Sequence, residues 1–166
     1  MQQMVVSGTP REIRVRQQLD VTRLINGLYM GSRPPTGDTL SNAGFNAVFL
    51  TAYEYQPRSS EIPNVRIYHV PLDDNDARPL TLSEKNQILA AGSTAATLAQ
   101  RGARVLVSCS MGRNRSGVVS AVALSQLSGR TPREAAQFIR KVRVGRDGGA
   151  PLMNDSFNEF LDEMSG

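Results

Sequence analysis

The chain has 166 residues, 40% of them hydrophobic and 20% charged, with a formal net charge of +4. That suffices for one domain with a real core and falls short of two, and the balance is that of a folded globular protein. One cysteine excludes an internal disulfide and a cysteine-rich zinc site, and the single His69 adds little, so no metal and no cofactor are expected.

Residues 1–18 read as a polar, arginine-bearing arm and 19–166 as the domain. Val21–Ile25 and Leu28–Gly31 flank Asn26-Gly27, a two-residue hairpin signal. Ser32-Arg33-Pro34-Pro35 breaks the chain, and Thr36–Ala43 predicts a short helix stopping at Gly44. Asn46–Thr51 and Val65–Leu72 read as buried strands with the polar loop Tyr53–Pro63 between them. Ser83–Gln100 is rich in helix formers and ends at Gly102, and Arg104–Ser108 is a further apolar strand. Ser116–Leu127 is apolar all round, as in a buried helix. Thr131-Pro132-Arg133-Glu134 joins an N-cap threonine, a first-turn proline and a glutamate three residues on, which starts a helix running to Val142. Asn154–Met164 predicts an amphipathic helix with Phe157, Phe160, Leu161 and Met164 on one face.

Strands alternating with helices imply an α/β fold in a single domain. Its sheet should be central, twisted and mainly parallel, with an antiparallel hairpin at one side and helices on both faces. Such sheets bind ligands beyond the carboxyl ends of their strands. The only cysteine lies there, in the stretch V-L-V-S-C-S-M-G-R-N-R-S-G-V-V from Val105 to Val119, and a helix follows it.

A free cysteine is ordinarily a small buried hydrophobe. That reading leaves the polar residues of this turn unexplained. A loop from Cys109 to Ser116 must curl back to feed the helix, and Gly112 permits the dihedrals this needs. Curling turns successive N–H groups inward, forming a nest for an anion, to which the helix adds the positive end of its dipole. Arg115 can set a guanidinium over the same cavity, so the turn suits a tetrahedral phosphate. The same surroundings favour the thiolate of Cys109, placed for attack on phosphorus, while the Ser116 hydroxyl can ease its departure. Arginine, 17 of the 19 basic residues, fits a phosphorylated partner, since its planar fork binds two oxygens at once. Arg113, a second cation beside the cradle, either steers acidic substrates or points into solvent.

Cys109-x5-Arg115-Ser116 between strand and helix resembles the signature of the cysteine-dependent protein phosphatases, and the layout resembles their compact dual-specificity branch. Leu28-Tyr29-Met30-Gly31-Ser32 resembles that branch's L-Y-L-G-S strand, Val70-Pro71-Leu72-Asp73-Asp74 its acid-bearing segment, and Asn154–Phe157 its closing N-x-x-F helix start. The resemblance implies Cys109 as nucleophile, Arg115 as phosphate clamp, and Ser116 as the donor that assists the leaving thiolate. The cradle would then be the backbone of Ser110, Met111, Gly112, Arg113, Asn114 and Arg115. The general acid falls on Asp74, with Asp73 the alternative. Ser108 stands where the family has a histidine, offering a neutral hydrogen bond in place of a charge. The stretch Thr51–Pro57 is placed as a pocket wall, and His69 as a core or hinge residue.

The expected activity is metal-independent phosphomonoester hydrolysis through a cysteinyl-phosphate, on phosphotyrosine and phosphoserine/threonine of a phosphorylated protein. A phosphoinositide or an RNA 5′-phosphate is the alternative substrate, and a phosphate-binding module without turnover the alternative function. No apolar run reaches bilayer length, and the first ten residues lack the basic start and apolar centre of a secretory signal. No membrane span is therefore expected, the lone cysteine fits a reducing, cytoplasmic setting, and the chain is expected to be a monomer.

Overall fold

The computed structural model describes residues 19–143 and 148–166, and the arm 1–18 lies outside the described residues. Among the described residues five strands form one sheet: β1 (Val21–Ile25), β2 (Leu28–Gly31), β3 (Ala47–Ala52), β4 (Arg66–Leu72) and β5 (Val105–Ser108), in the order β1-β2-β5-β3-β4. The β1–β2 hairpin is antiparallel, and β2–β5, β5–β3 and β3–β4 are parallel. Parallel strands require crossovers: α1 (Thr39–Asn42) lies between β2 and β3, a loop with the 3-10 turn Ser59–Glu61 between β3 and β4, and α2 (Leu82–Gln100) between β4 and β5. After β5 come α3 (Arg115–Ser128), α4 (Pro132–Val142) and α5 (Asp155–Met164). Among the described residues no helix is long and apolar enough to cross a membrane.

Alternation along the strands divides the core into two layers. Leu28, Met30, Ala47, Phe49, Val105 and Val107 face α2–α5, where α3 contributes Val118, Val119, Ala121 and Leu124. Val48, Leu50 and Leu106 face the other way, against Leu40 of α1, Phe45, Ile62 and Val65. The helical cover is thus unequal: four long helices on one face, and on the other one short helix beside the 3-10 turn Ser59–Glu61.

Helix α1 is shorter than the expected Thr36–Ala43. Gly37 has φ +92°, outside the helical region, and its N–H bonds to Glu61 O at 2.7 Å, so the helix starts only after Asp38. Elsewhere the ends shift by a residue or so. α2 and α4 each begin with the reciprocal threonine–glutamate cap, Thr81 with Glu84 and Thr131 with Glu134.

Candidate active site

Parallel strands place all their carboxyl ends on one edge of the sheet, and the loops leaving β2, β3, β4 and β5 meet there. β5 sits in the middle of the sheet, so Cys109, which follows it, lies at the centre of that edge, 4% exposed. Its Sγ lies 3.2 Å from the Ser116 Oγ in the first turn of α3. Ser116 is fully buried, which leaves its hydroxyl facing the sulfur in a dry setting.

The loop between them is held in shape from outside. Ser110 O accepts from Arg33 N at 3.3 Å, Gly112 O from Arg143 Nε at 3.0 Å, and Arg113 O from Leu152 N at 3.2 Å. In a trans peptide the next N–H points opposite to the carbonyl, so these bonds turn the N–H groups of Met111, Arg113 and Asn114 to the inner side of the loop. Asn114 O accepts from Val118 N, the first bond of α3, which leaves the Arg115 N–H at the open end of the helix. Gly112 has φ +69°, and a Cβ there would come within 2.6 Å of Gly31 C. Only glycine fits where the loop turns against β2. The curl expected of Cys109–Ser116 is therefore built from four anchored carbonyls.

Arg143, at the end of α4, is 1% exposed and carries one of those anchors. Its Nη1 and Nη2 bind the two oxygens of Asp20 at 2.9 and 2.8 Å, and Nη1 also reaches Thr22 Oγ1 at 3.2 Å. A fork-to-fork ion pair thus connects the strand β1 to the loop.

Arg115 is 7% exposed. Nη1 and Nη2 donate to Glu54 Oε1 and Oε2 at 2.6 and 2.7 Å, and Nη1 also to Leu72 O at 3.2 Å. Its Nε–H is buried without a partner. A buried guanidinium N–H left open is costly, and a phosphate oxygen in the cradle would satisfy it. Glu54 also accepts from Ser110 Oγ, so one carboxylate braces both the arginine and the cradle loop. The Arg115 bond, with lesser help from Ser110, overcomes desolvation and holds the Glu54 carboxyl down at about 2. Burial opposes the Arg115 charge, but Glu54, Cys109 and Asp74 outweigh it and raise its pKa.

Glu54 is held in turn by its own loop. Gln56 Nε2 donates to Leu50 O and Ala52 O, both at 2.8 Å, and Gln56 Oε1 lies 2.7 Å from His69 Nδ1. His69 is therefore an exposed brace on β4, not a core residue. The expectation for Thr51–Pro57 named a pocket wall without a role for Glu54. The signal available was that Glu54 is the one carboxylate in that stretch.

Of the candidate acids, Asp74 stands at the cradle. Its Oδ2 accepts from Asn114 Nδ2 at 3.0 Å and its Oδ1 from Asn154 Nδ2 at 2.8 Å. Asp73 makes neither contact and contributes to the field on Arg78. Arg113 packs its guanidinium against Gly149. Arg33 stands on the rim, with Nη2 3.3 Å from Ser110 Oγ and its guanidinium 4.6 Å from the centre of the Tyr55 ring. Ser108 is buried, donating to Phe49 O at 3.2 Å, while its own carbonyl accepts from Thr51 Oγ1 at 2.7 Å. The Ser108 hydroxyl thus ties the end of β5 to β3. Among the described residues no group of three or more His, Cys, Asp or Glu could hold a metal ion.

No protein-family model matches the chain, and no curated protein matches it in sequence. Solved structures do match in fold. A mouse dual-specificity phosphatase candidate, crystallised with zinc tungstate, superposes with a TM-score of 0.70 at 21% identity, over 98% of this chain and 91% of that one. A human DUSP28 variant has a TM-score of 0.67 at 25% identity, over 88% and 94%. PTPMT1, in complex with PI(5)P, has a TM-score of 0.64 at 20% identity, over 87% and 96%. The chain has the fold of the dual-specificity phosphatases.

Proposed function

We propose that this chain, folded as the dual-specificity phosphatases are, is a cysteine-dependent phosphomonoester hydrolase. The observation that carries the reading is the buried Cys109 Sγ, 3.2 Å from Ser116 Oγ, beneath a loop whose carbonyls are tied outward and whose arginine is braced by Glu54. In the first step the Cys109 thiolate attacks phosphorus, the bond from phosphorus to the leaving oxygen breaks, and Asp74 gives that oxygen its proton. Water then attacks the phosphocysteine and passes a proton to Asp74. The phosphorus–sulfur bond breaks, and the thiolate departs under a hydrogen bond from Ser116. The inward N–H groups and the Arg115 Nε–H hold the equatorial oxygens through both steps.

A phosphorylated protein is the proposed substrate, taken on tyrosine as well as serine or threonine. Tyr53 and Met111, each adjacent to a residue of the Glu54–Ser110 contact, are exposed, as is Met153 beside the Asn114 amide. Apolar surface around the cradle suits the ring of a phosphotyrosine. The second reading is a phosphoinositide, favoured by the likeness to PTPMT1, which was solved with PI(5)P. Replacing Cys109 with Ser should lower aryl phosphate turnover by about a thousandfold or more while the chain stays folded. Substantial turnover by this variant would reject cysteine catalysis. Wild-type chain that binds a phosphate analogue and never turns over would mark a binding module.

A further inference from the structure

Asp74 lies in the stretch 73–81 between β4 and α2, which has no regular structure, and the residue is exposed. A side chain so placed would ordinarily sample its rotamers freely, and a proton donor helps only when it stands within reach of the departing oxygen. Here both of its oxygens are taken by amides, one from Asn114 in the cradle loop and one from Asn154 at the head of α5. Those amides are themselves fixed. Asn114 Oδ1 accepts from Met153 N at 2.8 Å and from Asn154 N at 3.2 Å. Asn154 is 2% exposed, and its Oδ1 accepts from Phe157 N at 3.1 Å as the N-cap of α5. With the oxygen committed to the helix, its Nδ2 has a determined direction, and that direction is Asp74.

The approach depends on Leu152, a buried non-glycine residue with φ +56°. This left-handed kink, unfavourable for a branched side chain, lets the N–H groups of residues 153 and 154 converge on one acceptor. It is held by Leu152 N on Arg113 O at 3.2 Å and by Asn158 Nδ2 on Leu152 O at 2.8 Å. Two residues further on, Ser156 Oγ donates to Arg78 O, so the head of α5 holds the same stretch at two points, Asp74 and Arg78.

Resting on the phosphatase reading, we infer that Asn154 and Asn114 are positioning residues that hold the acid Asp74 over the cradle before substrate arrives. The cap of the last helix thus belongs to the reaction and not only to the fold. An acid presented this way needs no closing movement when substrate binds. Each amide N–H occupies one lobe of a carboxyl oxygen, and the remaining lobes are left for the proton in transit.

Asn154→Ser separates the two functions of the residue, because serine caps a helix as well as asparagine does but carries no amide donor. The measurement is kcat/KM over a series of phosphate monoesters from activated aryl to alkyl, for wild type, Asn154→Ser, Asp74→Asn and the double variant, with thermal melts alongside. The expected result is a loss of about tenfold on the alkyl ester, shrinking towards the activated aryl ester, as for a lost hydrogen bond to a charged group. In the Asp74→Asn background the same substitution should cost nothing further. An equal loss across the series, the same loss persisting without Asp74, or no loss at all would overturn the inference. Should Asn154→Ser not fold, Asn114→Ser removes the other amide and is judged by the same series. Turnover undiminished by Cys109→Ser would instead sink the parent reading, so the two failures are distinguishable.

Discussion

Glu54 is the residue whose role depends most on the folded state. Nothing in T-A-Y-E-Y-Q-P marks it as more than a loop acid, and its partners lie 56 and 61 residues away, at Ser110 and Arg115. By taking both terminal nitrogens of Arg115 it fixes the plane of the guanidinium and leaves the Nε edge open. Glu54→Gln keeps the shape and removes the charge, so Arg115 should lose its fork and kcat/KM should fall by about tenfold. Titration offers a second readout. A carboxyl lowered from 4.5 to about 2 by folding stabilises the native state fully above the higher value, and that contribution disappears as pH falls through the lower. The wild type should therefore lose melting temperature between pH 4.5 and about 2, and Glu54→Gln should lose less over that interval. Parallel melting curves for the two proteins, with unchanged kcat/KM, would mean that Glu54 braces nothing.

Among the elements, the cradle loop owes its shape to neighbours on β1, β2 and α4 as much as to its own residues. Cys109, Gly112, Arg115 and Ser116 were legible because a tight turn between strand and helix is a local matter, set by spacing. Arg143 was not. At the end of α4 it reads as an ordinary basic residue near a helix C-terminus, and only packing shows it buried against Asp20 with its Nε on Gly112 O. Asn154 was legible as the start of a helix, while the use of its amide at Asp74 was not, because the partner lies 80 residues away. Arg143→Met removes one partner of a buried pair and the anchor of the Gly112 carbonyl together. It should cost about 3–5 kcal/mol in urea unfolding and weaken binding of a phosphate analogue. A midpoint within error of wild type would show that the pair carries no such weight.

For the molecule as a whole, the parallel sheet is the reason that Arg33, Glu54, Asp74 and Cys109 meet at all. They follow β2, β3, β4 and β5, and parallel pairing sends the ends of these strands to one edge. Alternating strands and helices made that edge foreseeable, along with the hairpin and the buried α3. Which loop residues touch across it depends on strand order, and the order β2-β5-β3-β4 cannot be read from local pattern. That order puts the cysteine strand between the strands leading to Arg33 and Glu54, with Asp74 one strand further out. Whether phosphate passes through Cys109 is decided by trapping the intermediate. Asp74→Asn, mixed with an activated aryl phosphate, forms the intermediate without needing an acid and then lacks the base for water. The product is quenched in acid, digested and weighed. The expected result is one phosphoryl group on the peptide carrying Cys109, absent when Cys109 is also changed to Ser. Steady turnover with that peptide unmodified throughout, or with the phosphoryl group on another residue, would contradict it.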